Sequence, residues 1–179
     1  MPDSVIRQAI STDISDLASI DHSYSTDHVW QMMLGGEAGE VHVSFREVRL
    51  PRAMRVEYPR NPQRLIDEWT KRSTVLIAEA DDGPAGYVAV MPATAPGAQW
   101  VCDLAVALRH RRQGIGARLL GASMEWARSR GFVRLFVEMQ SKNYPAIMLA
   151  RKLGFVFSGY SDHYYPDEDI SLFFSIELG

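Results

Sequence analysis

The sequence predicts one α/β (α+β) domain in which helices flank a mixed, mostly antiparallel central sheet. Its 179 residues, 46% of them hydrophobic, suit a single globular domain with a substantial core. Two apolar runs on either side of an Asp-Asp-Gly-Pro turn at 81–84 are typical of a β-hairpin. Residues 100–139 then have the pattern of a strand, an amphipathic helix and a strand. No Gly/Ser-rich linker divides the chain, so we predict a single domain over 1–179.

Composition and charge exclude several classes of protein. The net charge of −3 and the pI near 5.9 give no general attraction to nucleic acid or to an anionic membrane surface. No apolar run approaches the roughly 20 residues that cross a bilayer, and the first residues lack the basic and apolar segments of a signal peptide. The single cysteine, Cys102, excludes an intrachain disulfide. We therefore expect a cytoplasmic protein that binds neither nucleic acid nor membrane.

The first 73 residues contain short elements with mixed patterns. Pro51 interrupts an alternating apolar and polar run, and we expect the chain to return there as a second, antiparallel strand. Asn61 precedes Pro62 and an apolar helical pattern, so we expect it to cap a helix. The elements predicted in this region are a strand at 5–10, a helix at 13–20, a short helix at 26–34, strands at 41–48 and 53–58, and a helix around 65–69.

The remaining residues have clearer patterns. The run at 100–108 is apolar apart from Asp103, which is typical of a central strand. Asn143 is placed to cap a helix that Gly154 ends. The elements predicted here are strands at 74–80, 85–90, 100–108, 133–139, 155–160 and 170–178, and helices at 114–130 and 143–152.

A basic, glycine-bearing turn joins the strand at 100–108 to the helix that follows. The free N–H groups at a helix N-terminus carry partial positive charge and form an anion site. Gly114 and Gly116 lack Cβ atoms, so a pyrophosphate could approach the backbone closely. The arginines expected to add positive charge are Arg109, Arg111, Arg112 and Arg118. The pattern is neither a dinucleotide fingerprint nor a P-loop, and a turn with a solvated first helical turn is the simpler alternative.

Two segments in sequence order resemble the signatures of GNAT acetyltransferases. The residues Arg-Arg-Gln-Gly-Ile-Gly at 111–116 resemble the Arg/Gln-x-x-Gly-x-Gly/Ala signature, and 143–155 resembles Asn-x-x-Ala-x-x-x-Tyr-x-x-x-Gly-Phe. The resemblance covers 74–178 well and 1–73 only loosely. It implies a GNAT-like fold and an N-acetyltransferase that uses acetyl-CoA as cosubstrate.

The resemblance also implies which residues hold the cofactor. In such enzymes the glycine turn cradles the coenzyme A pyrophosphate and the preceding strand offers backbone groups to the pantetheine. The implied residues are Leu104, Ala105 and Val106 for the pantetheine, Arg111, Arg112, Gln113, Gly114, Ile115, Gly116 and Ala117 for the pyrophosphate, and Asn143 near the reactive end.

The acceptor is less well defined by the sequence. Residues 123–127 and 137–140 resemble the streptothricin acetyltransferase branch, whereas 163–169 resembles ribosomal-protein alanine N-acetyltransferases. The acidic run at 167–169 is typical of a solvated loop, and the alternative is that it attracts a cationic amine. We expect a primary amine of a small molecule, streptothricin- or aminoglycoside-like or a polyamine. The alternatives are a protein or peptide N-terminal acetyltransferase and a catalytically weak coenzyme A-binding sensor, and a homodimer stays open.

Direct attack by the amine in a ternary complex needs a general base and a proton for the leaving thiolate. Glu138 and Asp103 interrupt apolar strands, and Glu138 is the preferred base because it matches the position of the base in alanine N-acetyltransferases. A hydrogen-bonded structural carboxylate is the alternative for either. Ala150 stands where many relatives carry a proton-donating tyrosine, so Tyr164 and Tyr165 are candidate acids. Packing or a place in the substrate wall is the alternative for this aromatic pair.

Two other kinds of site are not expected. Cys102 alternates with apolar neighbours and has no local histidine partner, which indicates a core residue rather than a nucleophile. The histidines show no paired ligand spacing, so we predict no metal.

Overall fold

The computed structural model describes residues 4–179, so the first three residues of the predicted domain 1–179 lie outside the description. Short 3₁₀ turns at 11–13, 69–71 and 108–110 join some of the elements. The strands are β1 (Val5–Gln8), β2 (Tyr24–Gly35), β3 (His42–Val56), β4 (Thr74–Ala80), β5 (Gly83–Pro92), β6 (Ala98–Val106), β7 (Arg134–Gln140), β8 (Val156–Ser161) and β9 (Ser171–Glu177). The helices are α1 (Ile14–Ala18), α2 (Gln63–Glu68), α3 (Ile115–Ser129) and α4 (Tyr144–Lys152).

Seven strands form one sheet in the order β1-β4-β5-β6-β7-β9-β8, and β2 pairs with β3 in a separate two-stranded sheet. Every neighbouring pair is antiparallel except β6 and β7, which α3 connects. The predicted mixed, mostly antiparallel sheet with flanking helices is therefore confirmed. None of the helices described within 4–179 is long and apolar enough to cross a bilayer.

The large sheet is buried on both faces because its central strands carry apolar side chains at successive positions. Val88 and Val90 of β5 pack with Leu119 of α3. Tyr87, which alternates with them, packs with Leu17 of α1 on the other face. This two-sided burial explains the nearly continuous apolar runs of β4, β5 and β6.

The region 24–56 differs from its predicted structure. The helix predicted at 26–34 is wrong, because these residues lie in β2, which pairs with β3 over most of its length. The two strands predicted at 41–48 and 53–58 are one strand, which passes through Pro51. The pairing shifts between Thr26 and His28, opposite Pro51, so the proline lies where the ladder is irregular and needs no N–H donor.

Strands β6 and β7 separate after a short contact. They pair only over Ala98–Val101 and Arg134–Val137. Beyond that point β6 stays with β5, whereas β7 stays with β9. A cleft therefore opens in the middle of the sheet, with unpaired backbone of β6 on one side and of β7 on the other.

Candidate active site

The turn before α3 presents a row of free amides. Gly114 adopts a φ of 84° and Arg112 a φ of 64°, which bends the chain into the helix. Within the described chain, no amide N–H of 112–117 donates a hydrogen bond, and the first to do so is that of Arg118, to the Gly114 carbonyl at 3.1 Å. A Cβ at Gly114 would meet no atom within 4 Å, so the space above the turn is open. This arrangement offers an anion several N–H donors at the positive end of a helix.

Three of the four arginines near this turn have partners within the protein, which limits how far their N–H groups can reach toward a phosphate. Arg111 donates to the carbonyls of Val106, Ser23 and Asp21 at 2.6–2.7 Å. Arg109 pairs with Asp82, and Arg118 donates to Ser4. Arg112 is exposed, and its side chain contacts no partner in the region 4–179. Arg111 thus anchors residues 21–23 to the end of β6.

Alternate residues of β6 turn their backbone groups toward the cleft. Ala107 donates to the Ala85 carbonyl at 2.9 Å, so from Asp103 to Ala107 the backbone N–H and C=O groups of the odd-numbered residues point to β5. The backbone groups of Leu104 and Val106 point into the cleft, where the Val106 carbonyl already accepts a hydrogen bond from Arg111. The backbone of Ala105 faces β5, which corrects its predicted place among the pantetheine contacts.

Two cavities meet at the point where β6 and β7 separate. We call the first the inner cleft, and it is lined by residues that include Tyr24, Leu104, Met139, Asn143, Leu149 and Ala150. We call the second the outer cavity, and it is lined by residues that include Arg64, Arg72, Met91, Pro92, Trp100 and Tyr164. Both are lined by Arg60, Cys102, Asp103, Glu138 and Tyr165.

Asn143 and Ala150 lie on α4, along the inner cleft. The Asn143 side-chain oxygen accepts the Ala146 N–H at 3.2 Å, which confirms the predicted cap of α4. Its amide NH₂ donates to no residue of the described chain and remains available in the cleft. Ala150 is buried in the cleft wall, so the departure from the tyrosine of the signature lies within the site.

Glu138 is buried, and both of its carboxylate oxygens have partners. Its side chain is 2% exposed and forms an ion pair with Arg60. Its other oxygen accepts hydrogen bonds from Trp100 Nε1 at 2.7 Å and from the Tyr164 hydroxyl at 2.8 Å. Such a set of donors stabilises a buried carboxylate and fixes its position.

Asp103 is also buried, but its carboxyl group lacks such partners within the described chain. Its side chain is 10% exposed, it accepts no hydrogen bond from residues 4–179, and its nearest cation, Arg72, lies 3.9 Å away. Burial, together with the negative charge of Glu138, raises the pKa of Asp103 to about 7. A carboxyl group with this pKa exchanges protons readily near neutral pH.

The remaining catalytic candidates include Tyr164 and Cys102. Tyr164 lines the outer cavity rather than the inner cleft, and burial raises its pKa to about 12. Cys102 lines both cavities, but its side chain is buried, donates to the Ala89 carbonyl and has a raised pKa. A thiol in this environment is a poor nucleophile. The described residues contain no cluster of potential metal ligands.

Sequence reasoning missed Arg60 and Tyr24. Arg60 lies three residues before α2, in the segment that leads from β3, and its guanidinium reaches Glu138, 78 positions away in the chain. Tyr24 begins β2 and donates to the Gln140 side chain at 2.8 Å across the inner cleft. Neither residue belongs to a local motif, so only the fold reveals them.

The open helix terminus, the cleft between β6 and β7 and the two signatures together indicate one family. The acetyltransferase (GNAT) family model matches residues 44–155. The chain belongs to the GNAT acetyltransferase family. This membership confirms the predictions of an N-acetyltransferase and of acetyl-CoA as its acetyl donor.

Individual relatives match nearly the whole length of this acetyltransferase. Streptothricin acetyltransferase of Streptomyces lavendulae is 27% identical over 164 residues, which cover 89% of this chain and 85% of that protein. A crystal structure of nourseothricin acetyltransferase is 28% identical, with a TM-score of 0.84, and the match covers 98% of this chain and 99% of that one. The ribosomal-protein-S18-alanine N-acetyltransferase of Escherichia coli, at 17% identity and a TM-score of 0.71 over 98% and 94% of the two chains, shares the fold.

Proposed function

We propose that this protein transfers the acetyl group of acetyl-CoA to a primary amine of a small molecule, by direct attack in a ternary complex. The observation that carries the proposal is the meeting of two separate cavities at Asp103 and Glu138. A donor in the inner cleft and an acceptor in the outer cavity would bring thioester and amine together at that point. Both substrates would then be bound before any bond changes.

The inner cleft suits the donor. The amides of 112–117 would bind the pyrophosphate, and the backbone of Leu104 would align the pantetheine along β6. Asn143 would then face the reactive end of the thioester, since its free NH₂ group lies farther along the same cleft. Gln113 and the other residues of the turn act through their backbone in this arrangement.

Asp103 is the better supported base. The predicted base, Glu138, already receives donors from Arg60, Trp100 and Tyr164, whereas Asp103 is unbonded and titrates near neutral pH. Asp103 would accept the proton of the attacking amine, and Glu138 would hold the surrounding side chains and keep the pKa of Asp103 high.

The bond changes need no covalent enzyme intermediate. The neutral amine attacks the acetyl carbonyl carbon, the carbon–sulfur bond breaks, and an amide and coenzyme A result. Cys102 is unsuited to carry the acetyl group because its thiol is buried and its pKa is raised. The leaving thiolate takes its proton from solvent or from a phenol of the inner cleft, such as Tyr24, since Ala150 has none to give.

Similarity along nearly the whole chain supports a small-molecule acceptor of the kind named for streptothricin acetyltransferase. The acidic loop at 167–169 adds little support for a cationic acceptor, because Asp169 pairs with Lys142 at 2.6 Å and accepts a hydrogen bond from Gln140. Streptothricins, aminoglycosides and polyamines therefore stay predictions, and N-terminal peptides stay the alternative.

A thiol-release assay with acetyl-CoA over streptothricin, aminoglycosides, polyamines, amino acids and N-terminal peptides tests the proposal. Initial rates with both substrates varied should give intersecting reciprocal plots, and Cys102→Ser should retain turnover. Parallel plots with loss of activity in Cys102→Ser would instead indicate an acetyl-enzyme. Calorimetric binding of coenzyme A without turnover of any amine would support the sensor alternative.

A further inference from the structure

The outer cavity contains more positive than negative side chains. Three arginines line it, Arg60, Arg64 and Arg72, against two carboxylates, Asp103 and Glu138. Arg60 and Glu138 neutralise each other, and Arg60 lies over the Tyr165 ring at 5.0 Å. Arg64 pairs with Glu68 at 3.4 Å. The groups left for a ligand are therefore the guanidinium of Arg72, the remaining N–H groups of Arg64 and the carboxyl group of Asp103.

Arg72 is buried without a good partner. Its side chain is 5% exposed, and its nearest carboxylate oxygens belong to Glu68 at 3.5 Å and Asp103 at 3.9 Å. Its hydrogen-bond acceptor in the described chain is the Met91 sulfur at 3.4 Å, and its buried Nε has none. A buried guanidinium with so few acceptors is costly unless a ligand completes it.

Building on the proposed function, we propose that the acceptor is an α-amino acid whose carboxylate binds Arg72 and Arg64 while its amine faces Asp103. Arg72 and Asp103 lie side by side in the cavity wall, with opposite charges and no hydrogen bond between them. An α-amino acid carries its amine and carboxylate on one carbon, so it can reach both residues at once. A forked guanidinium can donate two parallel hydrogen bonds to the two oxygens of a carboxylate.

The rest of the outer cavity indicates the side chain of this amino acid. Met91, Pro92 and Trp100 line it beside Tyr164 and provide an apolar and aromatic wall. An apolar or aromatic side chain would bury there. A polyamine would instead place extra positive charge beside Arg64 and Arg72, which repels it.

The chemical step follows from this placement. The amine nitrogen attacks the acetyl carbonyl carbon, Asp103 takes the amine proton, and the carbon–sulfur bond breaks to release coenzyme A after the thiolate is protonated. The product is an N-acetyl amino acid, in which the carboxylate stays on the two arginines throughout. Carboxylate binding is thus the same in substrate and product and acts mainly on KM.

Three matched acceptors test the role of the carboxylate. L-Phenylalanine carries it, L-phenylalaninamide replaces it by a neutral amide, and 2-phenylethylamine lacks it. We expect kcat/KM for phenylalanine to exceed that for the other two by about 10-fold or more, since a charge-assisted pair is lost. We also expect spermidine to be a poor acceptor.

Variants of the arginines locate the effect. Arg72→Gln should raise KM for phenylalanine about 10-fold or more and reduce the preference for phenylalanine over 2-phenylethylamine by a similar factor, with KM for acetyl-CoA little changed. Arg64→Gln, at a more exposed position, gives a second reading should Arg72→Gln fold poorly, and a smaller rise in KM is expected there. Arg52→Gln, an exposed residue of β3 remote from both cavities, is the matched control and should behave as the wild type.

Equal kcat/KM for phenylalanine and 2-phenylethylamine would overturn the inference, and so would a preference for spermidine. Either result would leave the acetyltransferase function intact. Absence of turnover on every amine, with coenzyme A still bound, would overturn the proposed function and this inference with it.

Discussion

The proposed donor site and the outer cavity are built in different ways. The groups proposed to bind the donor come from two continuous segments, 104–117 and 143–150, which contain the free amides before α3 and the cap of α4. The outer cavity is assembled from side chains that are distant in sequence, namely those of Arg60, Arg72, Trp100 and Tyr164. A cofactor bound by backbone amides would therefore leave a local sequence signature, whereas an acceptor bound by side chains that are distant in sequence would leave none.

The largest effect is expected at Asp103, which with Glu138 lies where the inner cleft and the outer cavity meet. Asp103→Asn should lower kcat by about 10²-fold or more, because the variant cannot accept the amine proton. Stopped-time thiol release at saturating acetyl-CoA measures the loss. KM for acetyl-CoA should change little, since Asp103 lies at the far end of the inner cleft.

Glu138→Gln is the control for that assignment. In the wild type kcat/KM should rise with pH through about 7 as Asp103 ionises. Loss of the Glu138 charge removes one cause of the raised pKa of Asp103, so this limb should move to lower pH in Glu138→Gln and vanish in Asp103→Asn. The reverse pattern, with the limb lost only in Glu138→Gln, would make Glu138 the base, as the sequence predicts.

Asp103 should also reduce the stability of the fold at neutral pH. Its pKa rises from 3.8 to about 7 on folding, so the protonated form stabilises the fold at low pH and this contribution is lost as the pH rises through 7. Asp103→Asn should therefore unfold at a free energy roughly 1–4 kcal/mol higher than the wild type at pH 8. Near pH 3 the two should be equal. Urea unfolding at both pH values checks this, and a less stable variant at pH 8 would show that the carboxylate is paired in solution.

On the inner side, Gly114 tests the role of the backbone. Gly114→Ala places a Cβ in the open space above the turn at a φ of 84°, which costs about 1–2 kcal/mol for an alanine. The turn should relax away from this φ and misalign the free amides, so KM for acetyl-CoA should rise about 10-fold if realigning them on binding costs about 1.4 kcal/mol, with kcat at saturation retained. Gly121→Ala, on the same helix and facing open space, is the matched control and should leave KM unchanged. An unchanged KM in both variants would argue that the phosphates bind elsewhere.

The same contrast explains how far the sequence could predict the molecule. The strands and helices from Thr74 onward follow from hydrophobic period, turn residues and caps, and the sequence predicts their bounds within a few residues. The helix predicted at 26–34 was wrong because β2 is defined by its pairing with β3 and by Trp30, which packs on Phe157 and Phe174. Arg111 has the residue type expected for phosphate binding, and only the fold shows that backbone carbonyls occupy it.

The smallest expected effect separates Arg112 from its neighbour Arg109. Arg112 is exposed without a partner among the described residues, whereas Arg109 pairs with Asp82 at 2.7 Å. A solvent-exposed charge contributes little, so Arg112→Gln should raise KM for acetyl-CoA by about two- to five-fold, and Arg109→Gln should not. The difference should shrink at high salt. Equal effects of the two substitutions would mean that the turn attracts the phosphates by its total charge, and a larger effect of Arg109 would place the phosphates on the Asp82 side of the turn.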